Sequence, residues 1–109
     1  MPKKTKQSRR AVEIDFKPFA ELARSLRELG RDAVKIYAAE VDAVIRTRSR
    51  DAHRIESLLD RMLGFCYDAN MLILFKKLCR HYFQFAPAAT VEHIHAYRDM
   101  WVDEVEAGK

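Results

Sequence analysis

Apolar residues recur at spacings of three and four along most of the chain, which is the period of an amphipathic α-helix. The spacing predicts helices over residues 16–29, 32–48, 51–64, 69–84 and 88–106. Little interrupts this pattern, because the chain has only three Gly and three Pro, and it contains no Asn-Gly or Asp-Gly hairpin signal. We therefore expect an all-α fold, a compact bundle of four to five amphipathic helices.

The helix boundaries are predicted from cap and break residues. The expected start signals, in chain order, are Asp15, Asp32, Asp68 and Pro87 with Thr90. The expected stop signals are Gly30 and Gly64. Between residues 46 and 51 the chain is polar but has neither Gly nor Pro, and a heptad pattern crosses the region. A continuous helix over 32–63 therefore competes with two shorter helices, and we prefer a break near Ser49.

The apolar faces predict how the helices pack. The first helix carries a stripe that we expect against the bundle, formed by Phe19, Leu22, Ala23, Leu26 and Leu29. The helix over 69–84 has an apolar face covering about half of its circumference, which is typical of a central helix. Ile36 and Ile73 fall on polar sides. They are candidates for an association surface, although single exposed apolar residues are common.

The positive charge is concentrated at the N-terminus. The net charge is +4, but residues 1–10 carry five cations and no acid, which leaves 15 basic and 16 acidic residues in the rest. We predict a flexible basic tail over 1–10 and a single helical domain over 11–109. The candidate phosphate contacts are Lys3, Lys4, Lys6, Arg9 and Arg10 in the tail, with Arg46, Arg48, Arg50 and Arg54 in the domain.

The segment that follows the tail has a different period. Val12, Ile14 and Phe16 alternate with acidic residues, and this pattern predicts an extended arm. A lone strand has no sheet to join in a helical protein. The arm is therefore expected to lie across the bundle or to exchange into a second copy.

Targeting and redox signals favour a soluble protein of a reducing compartment. No apolar run is long enough to cross a bilayer. Cys66 and Cys79 lie on predicted core faces without CxxC spacing, so we expect free buried thiols and a cytoplasmic location.

Candidate catalytic and metal-binding groups are few. Three sets contain possible ligand or proton-transfer groups: His53 with Glu56 and Asp60, Cys66 with Cys79 and His81, and His93 with His95. A solvated polar face explains the first set, and inert packing of thiols explains the second. The two residues of the third set point to different sides of a helix. We expect no metal, no cofactor and no enzymatic activity.

Arg98 is the most informative residue for function. It falls within the apolar stripe of the last predicted helix, near Trp101. Trp and Arg are favoured anchors in protein interfaces, although an internal pairing with Glu56, Asp60 or Asp68 explains the arginine equally. We expect a small non-enzymatic helical module that binds a protein partner or forms a homodimer. The alternative is a nucleic-acid-associated accessory protein that binds phosphates through its tail and the Arg46 to Arg54 cluster.

Overall fold

The computed structural model describes residues 15–102 and shows four helices. They are α1 Lys17–Arg46, α2 Ala52–Leu63, α3 Ala69–Phe83 and α4 Pro87–Trp101. The predicted all-α bundle is confirmed, and no strand occurs within this described part. The molecule measures 67 × 31 × 18 Å, so it is longer than a compact bundle of this size. The basic tail and Val12 and Ile14 of the predicted arm lie outside the described residues, as do residues 103–106 of the last predicted helix.

Helix α3 is the centre of the bundle, as its wide apolar face predicts. It packs against α1, α2 and α4. The core formed around it consists of the buried residues Ala33, Val41, Val44, Ile55, Leu58, Leu59, Met62, Cys66, Met71, Phe75, Leu78, Cys79 and Tyr82. Every core residue lies between positions 33 and 82, so the first half of α1 takes no part in the core.

The first two predicted helices are one continuous helix, and the predicted break at Gly30 is wrong. Gly30 is buried inside α1, and Asp32 lies within the helix instead of capping a new one. A Cβ atom at Gly30 would lie 3.2 Å from both Cε1 and the hydroxyl of Tyr67. Glycine is therefore present because a tyrosine ring packs against the helix backbone. The strong helix formers on both sides carry the helix through this position.

The predicted break near Ser49 is confirmed, and the continuous helix over 32–63 is excluded. The Ser49 N–H donates to the Val44 carbonyl over 2.9 Å, and the Arg48 N–H donates to the Ile45 carbonyl over 3.1 Å. These two bonds define a Schellman motif at the end of α1. Arg48 occupies the left-handed position of the motif with φ 53°, a conformation that usually belongs to Gly. Sequence signals did not reveal the break type, because no Gly marks it.

The predicted helix starts at Asp68 and Pro87 and the predicted end at Gly64 are confirmed. Asp15 and Thr90 are not caps, because Phe16 is the cap residue of α1 and Thr90 lies inside α4. The Asp68 carboxylate accepts from the backbone N–H of Asn70 and Met71 at the start of α3. Gly64 follows the last residue of α2, and Pro87 is the first residue of α4. Asp15 accepts from the Lys17 N–H over 2.9 Å, one residue before the cap position of α1.

Replacing Arg48 with Gly should stabilise the fold. Gly adopts the left-handed conformation without the steric cost that an L side chain bears there. We expect Arg48→Gly to raise the free energy of unfolding by about 1 kcal/mol in urea titrations. Thr47→Gly is the control, because Thr47 has a right-handed conformation, and it should lower the free energy of unfolding. A fall in stability for Arg48→Gly would contradict the strain at this position.

Candidate interaction surfaces

The first half of α1 projects from the bundle and exposes its apolar face. We call residues 17–29 the projecting segment, because each of them is exposed and burial begins at Gly30. Its apolar stripe consists of Phe19, Leu22, Leu26 and Leu29, which are 63%, 57%, 43% and 52% exposed. The sequence predicted this stripe to pack against the bundle, and that prediction is wrong. The stripe extends the helical face that carries Ala33, Val41 and Val44 into the core.

Aromatic residues hold the base of the projecting segment. The Tyr67 hydroxyl donates to the Leu26 carbonyl over 2.6 Å. The Tyr67 ring also lies 6.2 Å from the Trp101 ring and 6.5 Å from the Phe65 ring, measured between centroids. The turn between α2 and α3 and the end of α4 thus fix the point where α1 leaves the bundle.

A second apolar surface is a groove between α3 and α4. The apolar groove has a volume of about 400 Å³ and is lined mainly by Leu72, Phe75, Phe83, Ile94 and Tyr97. Lys76 and Arg80 also line it and supply its positive charge. Phe83 and Ile94 remain about half exposed. A helix face or a chain segment with apolar side chains is the ligand that such a groove accepts.

The two predicted surface isoleucines lie in different surroundings. Ile36 and Ile73 are 62% and 59% exposed, as their polar-side positions predict. Ile36 follows Leu22 and Leu29 at intervals of seven residues, so it extends one edge of the apolar stripe along the bundle. Ile73 does not line the apolar groove, so it belongs to neither surface.

Arg98 lies in the last turn of α4 and is exposed. Glu56 accepts from the Tyr82 hydroxyl, Asp60 faces His93, and Asp68 caps α3. Trp101 is half-buried, and its indole N–H donates to the Leu63 carbonyl over 3.0 Å. Its polar group therefore contributes to the packing of α4 against α2.

Removing the indole N–H should test that assignment. Trp101→Phe keeps an aromatic ring against Tyr67 but leaves the Leu63 carbonyl without this donor. We expect a loss of about 1 kcal/mol in the free energy of unfolding, with no change in oligomeric state by light scattering. A weakened association without loss of stability would instead make Trp101 an interface anchor.

Among the residues that the structure describes, the four arginines predicted as phosphate contacts are not gathered in one pocket. The five tail cations, Lys3, Lys4, Lys6, Arg9 and Arg10, lie outside the described residues. Of the four domain arginines, Arg46 pairs with Asp42 over 2.6 Å, as its spacing suggests, and Arg54 is exposed in the first turn of α2. Arg48 and Arg50 share an open pocket of about 410 Å³ at the end of α1. This basic pocket is lined by Ile45, Arg48, Arg50, His81, Gln84 and Phe85.

The predicted polar clusters are not assembled as metal sites. His53 is exposed, while Glu56 and Asp60 contact α3 and α4 separately, through Tyr82 and His93. Within residues 15–102, no three metal-ligating side chains lie close enough together to hold a metal ion. His81 contacts the Ser49 carbonyl through Nε2 over 2.7 Å, so it joins α3 to the loop before α2 rather than to the thiols.

Both thiols are buried and free, as the sequence predicts. Burial raises the pKa of the Cys66 thiol from 9.0 to about 12, with a smaller contribution from Cys79, and raises the pKa of Cys79 from 9.0 to about 11. Burial, with the adjacent Glu56 carboxylate, raises the pKa of Tyr82 from 10.0 to about 12. These shifts keep the groups protonated, whereas a nucleophilic cysteine needs a lowered pKa.

Alkaline pH should therefore destabilise the fold. The unfolded chain releases protons from these groups near pH 9.0 to 10.0, while the folded chain retains them to about 11 or 12. Their contribution to stability is complete below pH 9.0 and is lost as pH rises through the folded pKa values. Urea titrations at increasing pH should show a falling free energy of unfolding.

The thiols give a second readout of the same burial. At pH 8, the raised pKa of Cys79 implies about 100-fold less thiolate than in the unfolded chain. Reaction with a disulfide reagent should be correspondingly slower in buffer than in denaturant. Rapid modification of both thiols in the native protein would contradict their burial.

Three features of these surfaces could not be predicted from the sequence. The role of Tyr67 depends on a contact 41 positions away along the chain, with Leu26. The apolar groove joins residues of two helices, each of which looks like an ordinary amphipathic helix. The basic pocket combines a loop with Phe85, and the only available signal was the density of arginines between 46 and 54.

Comparison of the chain with protein families, curated proteins and solved structures finds no match. None of the helices in residues 15–102 combines the length and apolar character needed to cross a bilayer.

Proposed function

We propose that this chain is a non-enzymatic helical interaction module that associates with a second copy of itself. In this dimer the projecting segment of each copy lies in the apolar groove of the other. The observation that carries the proposal is the apolar stripe on a helix that extends beyond its own bundle. A large contiguous apolar surface of this kind is typical of a site of association.

The stability of the projecting segment supports an external contact. All 13 of its residues, 17–29, are exposed, so packing within the described chain adds little to the stability of this half of α1. Most helices in proteins are stabilised by packing of their apolar face. Packing the stripe against a second copy would supply that contribution.

The distribution of charge favours packing into a groove. In the projecting segment, the charged residues nearest to the stripe are Glu21 on one side and Arg27 on the other, and Arg24 lies on the opposite face of the helix. The small residues Ala23 and Gly30 widen the uncharged face to more than half of the circumference. A face this wide contacts two helices at once, and the groove between α3 and α4 offers two.

Opposite charges lie beside the two surfaces. Glu21 and Glu28 each precede a stripe leucine and lie about 10 Å apart on one side of α1. Lys76 and Arg80 line the apolar groove. A segment in the groove can therefore place its acidic edge beside the basic residues of α3, which contributes to specificity.

The area involved favours a reciprocal arrangement. The four stripe side chains expose on the order of 400 Å², while a stable interface buries about 800 Å² per partner. A two-fold dimer uses the stripe and groove of each copy, which doubles the area and closes the assembly at two chains.

Light scattering tests the proposal by measuring the mass of the full chain at protein concentrations from about 1 to about 100 µM. We expect a dimer whose dissociation constant rises at least about 100-fold in the double variant Leu22→Gln, Leu26→Gln, because two leucines lose their burial. Gln has a helix propensity close to that of Leu, so the monomer should keep its helix content by circular dichroism.

Two isoleucine variants separate the surfaces. Ile94→Gln removes an apolar residue from the groove, and Ile73→Gln makes the same change outside both surfaces. We expect only Ile94→Gln to weaken the dimer. A dimer that survives Ile94→Gln but not the stripe variant would indicate pairing of two projecting segments and overturn the groove as acceptor. A monomer at all concentrations would overturn self-association, and the stripe would then be a candidate site for binding a different protein.

A further inference from the structure

We propose that the basic pocket at the end of α1 binds the phosphate group of a nucleotide. Arg48 and Arg50 supply the positive charge, and Phe85 supplies an aromatic surface beside it. This site lies apart from the apolar stripe and the apolar groove, with which it shares no lining residue. It therefore does not depend on self-association.

The loop that carries the arginines is fixed in place. The Schellman bond from the Ser49 N–H to the Val44 carbonyl closes one end. His81 of α3 holds the Ser49 carbonyl over 2.7 Å, and since a carbonyl only accepts, the Nε2 atom carries the hydrogen. The Asp51 N–H also donates to the Ser49 hydroxyl over 3.2 Å. A fixed loop reduces the entropy lost when a ligand binds.

The positive charge of the pocket is not neutralised from within. Its six lining residues, all in the described part of the chain, include two arginines and a histidine and no carboxylate. The nearby carboxylates have other contacts, because Asp42 pairs with Arg46 and Asp51 accepts from the Arg54 N–H. An anion with several acceptor oxygens would accept hydrogen bonds from both guanidinium groups and neutralise their charge.

The backbone of Arg48 gives independent support. Its φ of 53° places a long cationic side chain where Gly is usually found. Strained residues cluster at binding sites, since strain persists where the side chain serves a function. At this position the side chain of Arg48 lines the pocket.

The aromatic surface identifies the class of anion. The Arg50 guanidinium carbon lies 4.7 Å from the centroid of the Phe85 ring, and His81 meets the same ring edge-on at 5.6 Å. Flat guanidinium and aromatic groups are the surfaces on which nucleobases stack. A volume of about 410 Å³ exceeds the needs of a bare phosphate and lies within the usual range for small organic ligands. The ligand is therefore a nucleotide, free or within a single-stranded nucleic acid.

Calorimetric titration of the full chain with adenosine monophosphate, inorganic phosphate and a short single-stranded oligonucleotide tests the site. We expect adenosine monophosphate to bind at least about tenfold more tightly than phosphate, because the base adds stacking. Arg48→Gln and Arg50→Gln should each raise its dissociation constant at least about tenfold. Arg54→Gln is the matched charge control outside the pocket, and Lys4→Gln removes one charge of the tail; each should change the dissociation constant less than about twofold.

The variant Arg48→Gly separates a loss of binding from a loss of stability. It is expected to keep or raise stability, yet it removes the guanidinium, so it should lose binding as Arg48→Gln does. Retained binding in Arg48→Gly or Arg50→Gln, equal affinity for phosphate and nucleotide, or no nucleotide binding at millimolar concentration would each overturn the proposal.

The oligonucleotide distinguishes the two sources of the nucleotide. Binding tighter than that of the mononucleotide and weakened by the Arg48 and Arg50 variants would indicate a nucleic acid. Oligonucleotide binding equal to that of the mononucleotide would indicate a free nucleotide. Oligonucleotide binding that only Lys4→Gln weakens would assign it to the tail and overturn the pocket as a nucleic-acid site.

Discussion

The contact between Gly30 and Tyr67 is the constraint on which the shape of this protein depends. Because the position has no side chain, the Tyr67 ring packs against the backbone of α1, and its hydroxyl bonds to the Leu26 carbonyl. The helix therefore continues through the glycine while remaining anchored to the bundle. Within α1, residues 17–29 are exposed, and the buried positions begin at Gly30 and continue with Ala33, Val41 and Val44. One residue thus divides α1 into a packed half and a projecting half.

Much of the fold could be predicted from local signals. The caps at Asp68, Gly64 and Pro87 act within a few residues of themselves, so sequence identifies them directly. The central position of α3 follows from the width of its apolar face. Gly30 misled the prediction because the same residue marks a helix end or a close approach by another element. Only the distant Tyr67 decides between these alternatives.

The candidate surfaces were harder to predict because they depend on contacts between elements. Periodicity revealed that Leu22, Leu26 and Leu29 share a face, but not whether the bundle covers it. Arg98 and Trp101 share a helix, and spacing alone placed both in one apolar stripe; in the structure Arg98 is exposed and the Trp101 indole bonds to the Leu63 carbonyl. The arginines between 46 and 54 formed a cluster in sequence, and the Schellman motif and Phe85 separated two of them into a pocket.

The uninterrupted helix has a consequence for how this chain can vary. Each residue turns an α-helix by about 100°. The orientation of the stripe around the axis of α1, relative to the core residues of that helix, is therefore set by the number of residues between them. Substitutions in the projecting segment leave that orientation unchanged. Insertion or deletion of one residue between Leu29 and Ala33 would rotate all four stripe side chains together and move them along the axis. The length of this short stretch is therefore under a stricter constraint than its composition.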